Sequence, residues 1–430
     1  MKKLILIFII FKMISLQNTF AEEYSLESCL EKAVNSSEYT KMQRYEQMLE
    51  EKEKTNLSNL YLPQLSLDAS ASYQSEKFKM DIKLPIPGIQ LPEGKNESYQ
   101  ASLLLTQLIY EGGYIAAAKE SKEIEKNINL TSLKVSNQKI KEAVNDLYFN
   151  ILIIQDNIKV IENAIETLQI KSRSIRAGVE NGVLLKTNLQ LLEIEILKMQ
   201  QKTIQLNSDK ESLLKMLAIL IDDDKITSSV LTSPNISIRD EDFNSISFSS
   251  RPEFELFENK SKLYDSKKEE INSKILPSIS AFVKAGAGSP NPFNMMETDL
   301  SFFYQAGVKF QWTVWDWFNN SRTRETGDIK KEINTLEKIN FERSLDRLLT
   351  KDKSDISKFK NLIRTDMQII ESQKDILKNY EKQMLEGTMS INDYLAEYNN
   401  LLQSDINLKI HSIQLLNAKY NLLIKSSYNK

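Results

Sequence analysis

Leu65-Ser66-Leu67-Asp68-Ala69-Ser70-Ala71-Ser72-Tyr73 alternates without a break, apolar at the odd positions and polar at the even ones. That period of two is the signature of a β-strand with one greasy face and one wet face. A second run, Tyr99 to Ile109, sets Tyr99, Ala101, Leu103, Leu105 and Ile109 on one face, interrupted by Gln107. Later in the chain Ile279, Ala281, Val283, Ala285 and Ala287 share a face. Then Tyr304, Ala306, Val308, Phe310, Trp312 and Val314 oppose Gln305, Gly307, Lys309, Gln311 and Thr313. The connections between these runs contain Leu84-Pro85-Ile86-Pro87-Gly88 and Ser289-Pro290-Asn291-Pro292, both loop chemistry. The chain is therefore expected to supply four strands as two hairpins, within 64–110 and 277–314.

The hairpins sit inside a longer repeat. Leu62-Pro63-Gln64-Leu65-Ser66 recurs as Leu276-Pro277-Ser278-Ile279-Ser280, and Tyr99-Gln100-Ala101 recurs as Tyr304-Gln305-Ala306. Gly182 pairs with Gly387 and Asn188 with Asp393. The last three pairs share one offset, since 304 − 99, 387 − 182 and 393 − 188 all equal 205. A constant offset across a strand and a helix turn argues for duplication. The expected organisation is a first repeat over 22–221, a polar linker over 222–250 and a second repeat over 251–430. Each repeat reads helix, hairpin, long helix, turn, second long helix.

The long helices carry heptad seams. Ile140, Val144, Leu147, Ile151, Ile154, Ile158, Ile161, Ile165 and Leu168 alternate steps of four and three, the mark of a coiled coil. Leu189, Leu192, Ile196, Met199, Leu206, Leu213, Leu217 and Leu220 extend it after the turn. The second half has weaker seams, Ile356, Phe359, Ile363 and Ile370, then Leu402, Ile406, Ile413 and Leu416. A helix from Tyr114 to Ala177 would span roughly 95 Å at about 1.5 Å per residue. Shorter helices are expected over 25–57, with Ser25 as N-cap, and over 252–273.

Composition narrows the function. Of 430 residues, 27% are charged, the net charge is −3, and only 11 glycines and 9 prolines interrupt the helices. There is no basic excess of the kind nucleic-acid binding uses. One cysteine, Cys29, and one histidine, His411, give no disulfide framework, metal cluster or Cys/His catalytic pair. Both read as structural. Asp222-Asp223-Asp224 lacks calcium-loop spacing and reads as a solvated turn. No cofactor, no metal and no enzymatic activity are expected. Lys2-Lys3, the apolar run Leu4 to Phe11, and Thr19-Phe20-Ala21 read as a signal peptide over 1–21, with Lys12 interrupting its apolar stretch. No later run is long enough for a membrane helix, so any crossing must use strands.

Four strands cannot close a barrel, and open edges are not tolerated in lipid. Two copies would give a barrel filled by its own side chains; three would leave a lumen. The polar rows Ser66, Asp68, Ser70, Ser72 and Lys309, Gln311, Thr313 would then face water, and the apolar rows lipid. Tyr73, Tyr99, Trp312, Trp315 and Trp317 are candidate interface aromatics. The different-class alternative is a periplasmic coiled-coil scaffold or adaptor with a small soluble sheet.

Several short motifs occur in a specific order: Tyr61-Leu62-Pro63-Gln64-Leu65 entering the first strand, and Leu105-Thr106-Gln107-Leu108-Ile109-Tyr110-Glu111-Gly112-Gly113 leaving the second. Arg251-Pro252-Glu253 and Leu276-Pro277-Ser278 follow, then Gly387-Thr388-Met389-Ser390-Ile391-Asn392-Asp393-Tyr394-Leu395. Through these the mature chain resembles the TolC family of outer-membrane efflux channels. The resemblance implies a homotrimer with a twelve-stranded barrel, a periplasmic tunnel of helices, and a mixed belt that includes 222–250. It implies a periplasmic adaptor protein and an inner-membrane transporter as partners, the pump supplying the energy. It also implies adaptor docking at the hairpin tips, here Gly182, Val183, Leu184, Thr187 and Asn188, with Gly387, Thr388, Ile391 and Asn392. Asp393 matches the first of two aspartates that narrow the family's closed periplasmic end. The second position is Ala396, with Glu397 beside it, which departs from the pattern. The expected function is export of small toxic compounds, or, in the same class, the exit duct of a type I protein secretion system.

Overall fold

The computed structural model describes residues 23–35, 37–77, 94–235, 248–294, 297–386 and 388–426. The signal peptide, the Leu84 to Gly88 loop, Gly387 and the middle of the 222–250 linker lie outside the described residues. The elements run β1 (Glu23–Tyr24), α1 (Leu26–Val34), α2 (Ser37–Asn59), β2 (Gln64–Tyr73), β3 (Glu97–Tyr110), α3 (Tyr114–Glu180) and α4 (Lys186–Ile221). After a 3₁₀ turn, Asp224–Ser228, come β4 (Val230–Leu231), α5 (Pro252–Ile275), β5 (Ser278–Ser289), β6 (Ser301–Gln311), α6 (Asn319–Leu385) and α7 (Ile391–Lys425).

The same order of long elements occurs twice. Tyr114 and Asn319 open helices of 67 residues each, 205 positions apart (319 − 114). Lys186 and Ile391 open the next helices at the same spacing (391 − 186). The tight offset seen in the strand and turn motifs thus extends to the helix boundaries.

Two expectations need correction. The first helix, expected unbroken over 25–57, is two helices. The break follows Asn35, whose backbone N–H closes on Glu31 O as a C-cap. Asn35-Ser36-Ser37 is a run of short polar side chains that compete for backbone groups, which favours caps over helix interiors. Ser25 does cap α1, its hydroxyl accepting the Ser28 N–H at 3.2 Å. The last strand, expected to continue to Val314, ends at Gln311. Gln311 pairs with Ser278, the first residue of β5, so no ladder partner remains beyond it.

The chain divides into two compact units. One comprises Gln43–Thr131 and Glu255–Lys338. Its centre is a four-stranded antiparallel sheet in the order β2-β3-β5-β6. The register aligns the alternating rows across all four strands. Leu67 faces Leu103, Leu103 faces Ala285 and Ala285 faces Tyr304. On the opposite face Asp68 faces Ser102, Ser102 faces Gly286 and Gly286 faces Phe303. A slip of one residue in any strand would break both rows. The apolar row is exposed: Leu65, Leu67, Leu103, Phe302, Tyr304, Val308 and Phe310 all lie open. The helical segments of this unit are joined by ion pairs, among them Lys54–Glu123, Lys126–Glu50, Lys267–Glu125 and Lys331–Asp265.

The other unit comprises Met1–Met42, Ser132–Phe254 and Ile339–Lys430. Among the described residues it holds two apolar clusters. One joins Tyr24, Leu26 and Cys29 to Val144, Tyr148 and Ile151 of α3, Leu214, Leu217 and Ile221 of α4, and Ile413 and Tyr420 of α7. The second joins Ile158, Ile161 and Leu168 of α3, Leu192, Ile196 and Met199 of α4, Met384 of α6, and Ile391, Tyr394 and Tyr398 of α7. The heptad seam read from the sequence is the buried face of these helices: Val144, Ile151, Ile158, Ile161 and Leu168 are buried, and Ile140, Leu147, Ile154 and Ile165 pack against the clusters. Ile356 and Ile370 of the weaker seam are buried too.

Candidate functional site

Three places bear on the expectations drawn from the sequence: the four-stranded sheet, the turns between the long helices, and the small sheet of β1 and β4. In the sheet, the two outer strands β2 and β6 each have one edge with no strand partner among the described residues. All ten residues of β2 are exposed. A sheet with a continuous apolar face and two open edges is unstable alone in either water or lipid. In a membrane such a sheet would need further strands to pair with, and lipid would cover the apolar row.

The turn from α3 to α4 is shaped by glycines. Gly182 takes φ +75°, a left-handed backbone that L side chains rarely adopt. Leu184 closes back on the helix, its N–H reaching Gly178 O at 3.1 Å. A Cβ at Gly178 would lie 2.8 Å from Leu184 Cδ1, so Gly178 is where this turn packs tightly. Val183 and Leu185 stand out into solvent, 77% and 71% exposed. Thr187 is exposed and Asn188 half-buried.

The turn from α6 to α7 differs in its cap. Ser390 is the N-cap of α7 and accepts the Asp393 N–H at 3.2 Å. Thr388 and Asn392 are exposed, but Ile391 is only 3% exposed and belongs to the second apolar cluster. Of the residues expected at the tips, Ile391 is therefore committed to the core. Leu184 is partly so, packing against the same cluster. Asp393 is exposed in the first turn of α7. Ala396 is exposed one turn on, and Glu397 accepts a hydrogen bond from Asn400.

After α4, β1 pairs in parallel with β4. The Tyr148 hydroxyl lies 2.8 Å from Tyr24 O and 2.7 Å from Thr232 O, and donates to one of them at a time. Gln155 brackets Leu231, donating to its carbonyl and accepting its N–H. Asp223, expected as a solvated turn residue, is instead a junction. It accepts from the Tyr24 hydroxyl at 2.7 Å and pairs with Lys32. The Lys32 ammonium holds the Asp223 carboxyl down at about 2. Arg251, buried, forms a double hydrogen bond with Glu253 and donates to Lys425 O, pinning the start of α5 to the end of α7. In the sequence Arg251-Pro252-Glu253 stands out only as a motif; its meaning as a clamp is long-range.

Cys29 is buried, and its thiol is pushed up to about 11 chiefly by that burial. His411 Nδ1 lies 2.6 Å from Asp366 Oδ2, joining α7 to α6. Among the described residues no group of His, Cys, Asp and Glu could hold a metal ion, and no helix is long and apolar enough to cross a membrane.

Residues 50–218 match the outer membrane efflux protein family. No curated protein matches the chain. Among solved structures the chain is similar to the CmeC outer membrane channel of Campylobacter jejuni, at 16% identity and TM-score 0.66, over 93% of this chain and 85% of that one. It is similar to the outer membrane protein VceC of Vibrio cholerae, at 12% identity and TM-score 0.67, over 93% of this chain and 95% of the other. A membrane protein of Pseudomonas aeruginosa gives TM-score 0.69 at 12% identity, over 93% and 90% of the two chains. These likenesses establish the fold, and residues 50–218 add the sequence signature. The chain thus has the fold of these outer membrane channels, and residues 50–218 of it match the outer membrane efflux protein family.

Proposed function

We propose that the protein is the outer-membrane exit duct of a tripartite efflux system, a homotrimer that passes small toxic compounds delivered by an inner-membrane transporter through a periplasmic adaptor. The observation that carries this reading is the apolar row running in register across β2, β3, β5 and β6, on a sheet with two open edges. Three copies supply twelve strands, β6 of one pairing with β2 of the next, and a cylinder of that size leaves a water-filled lumen. The polar face with Ser66, Asp68, Lys284, Gln305 and Lys309 then lines the lumen.

The exposed tip residues Gly182, Val183, Thr187, Thr388 and Asn392, with the half-buried Asn188, form the surface offered to the adaptor. Gly182 supports this: a Cβ placed there meets nothing within 4 Å, so the space above it is open to a partner's backbone. Asp393 sits beside them, and three copies near an axis make an anionic ring.

Membrane fractionation followed by planar-bilayer recording tests the reading. The protein is expected in the detergent-extracted outer membrane as a trimer that conducts ions. A mature chain that is monomeric and fully water-soluble would overturn it. Co-purification with an adaptor and a transporter separates efflux from secretion, in which a large exported polypeptide would be the cargo.

A further inference from the structure

The sheet has one buried spot where a single layer of strands should have none. Ser102 is 2% exposed and is the only buried residue of β3. Phe303 is 6% exposed and is the only buried residue of β6, between Phe302 at 89% and Tyr304 at 83%. Gly288 is the only buried residue of β5. Ser102, Gly286 and Phe303 form one cross-strand row, on the polar face. Something lies over that face there, and among the described residues no other position of these strands is buried.

Over Phe303 and Gly288 lies the connection that leaves β5. Phe293 packs edge-on against Phe303, with ring centroids 5.4 Å apart. Pro292 sits over Gly288, where a Cβ would lie 3.3 Å from Pro292 Cδ. The segment is held by its own bonds. The Asn291 N–H donates to Glu297 O at 3.0 Å, and Asn291 Oδ1 accepts the Phe293 N–H at 2.9 Å. Ser289 donates to Thr298 O at 2.8 Å, and Asn291 is itself buried. All the helices of this unit join the sheet at the opposite end of the strands, so the segment stands at the far mouth.

We propose that residues 290–294 form a built-in constriction of the outer mouth of the lumen, with Phe293, braced on Phe303, as the contact for apolar and aromatic solutes leaving the duct. The inference rests on the duct reading, because it needs the polar face to be the lumen. Phe293 keeps 55% of its surface free, and its partner Phe303 lies on the polar row, so a lumen on that face would bring solutes past the Phe293 ring. Three copies make a ring of neutral aromatic edges, which admits planar apolar compounds and narrows the path for bulky hydrated ones. It is a second restriction, separate from any at the helical tips.

The test uses the full-length trimer in planar lipid bilayers and a bulky, positively charged thiol reagent. Cys29 is buried, so the unsubstituted protein is the unlabelled control. Modification of Phe293→Cys, verified by its mass shift, is expected to lower the single-channel current. Modification of Phe302→Cys, on the lipid-facing row, is expected to leave it unchanged. A Phe293→Cys channel that conducts equally before and after modification would overturn the constriction while leaving the duct reading standing. An equal loss of current at Phe302→Cys would overturn the assignment of faces and the constriction with it. An unsubstituted protein that forms no channel would sink both.

Discussion

The Ser390 hydroxyl lies 2.6 Å from Asp393 Oδ2, and its oxygen accepts the Asp393 N–H at 3.2 Å. The acidic residue proposed for the anionic ring is thus also the third residue of a capped helix. The pattern Ser390-x-x-Asp393 is a variant of the capping box, with the carboxylate taking the hydroxyl proton rather than the N-cap amide. Replacing Ser390 with Ala should cost about 1 kcal/mol of local helix stability while leaving the charge in place. Amide exchange in the first turn of α7 is the measurement: it should quicken. Unchanged protection would mean that the core residues Ile391 and Tyr394 hold the turn without the cap.

The charge of Asp393 has a separate signature. In Asp393→Ala the Ser390 oxygen still accepts the backbone N–H, so the helix start survives and the carboxylate alone is lost. Block of single-channel current by multivalent cations is expected to weaken, because the anionic ring that attracts them is gone. If block persists at the same concentration, Asp393 is a solvated cap residue and nothing more. Running Ser390→Ala beside it separates the loss of cap from the loss of charge.

Acid should loosen the region around β1 and α1 through Asp223. Its folded carboxyl sits at about 2 against an ordinary 3.8, because Lys32 and the Tyr24 hydroxyl favour the ionised form. A depressed acid pKa means that the contribution is complete above about pH 4 and disappears as pH falls toward 2. Lys32 is shifted the other way, raised above its ordinary 10.5 by Asp223, so its contribution is present below that pH and lost above it. Between these limits the pair is steady. Asp223→Asn should therefore lower stability at neutral pH and flatten the dependence between about pH 4 and 2, followed by circular dichroism during acid titration. A variant with an unchanged acid profile would show that the unfolding of this region is not linked to Asp223.

What the sequence disclosed and what it hid divide along physical lines. Alternation in Leu65 to Tyr73 and the four-and-three steps from Ile140 to Leu168 are local periodicities, and they foretold the strand faces and the buried helix faces. The offset of 205, set by a strand motif and a helix turn, recurs in the structure between the starts of α3 and α6 and of α4 and α7. Hidden were contacts between distant residues. Nothing in Asp222-Asp223-Asp224 announces that the middle residue meets Tyr24 and Lys32, 199 and 191 positions away. Nothing in Pro290-Asn291-Pro292-Phe293 says that its ring settles on Phe303. The tip residue Ile391 looked available because a turn motif marks position, not burial.

The offset also exposes a substitution that tests the backbone directly. Gly112 and Gly113, between β3 and α3, both take positive φ, +72° and +88°. Their counterparts 205 positions on, between β6 and α6, are Trp317 and Phe318, which keep the same left-handed backbone at +55° and +61° without being glycine. The turn is therefore demanded by the geometry of strand entering helix, and the second repeat accepts strain to make it. Space decides why the first repeat cannot do the same. A Cβ at Gly112 would lie 2.6 Å from both Ser273 O and Leu276 Cβ, whereas Trp317 is 75% exposed. Gly112→Ala combines left-handed strain with a backbone clash and should cost roughly 2 kcal/mol or more. Trp317→Gly removes strain while giving up its edge contact with Trp315, so its net cost should be much smaller. Thermal unfolding of the two variants in the same detergent is the comparison. If Gly112→Ala unfolds no earlier than Trp317→Gly, the glycine is not required by packing and Ser273 and Leu276 must move aside freely.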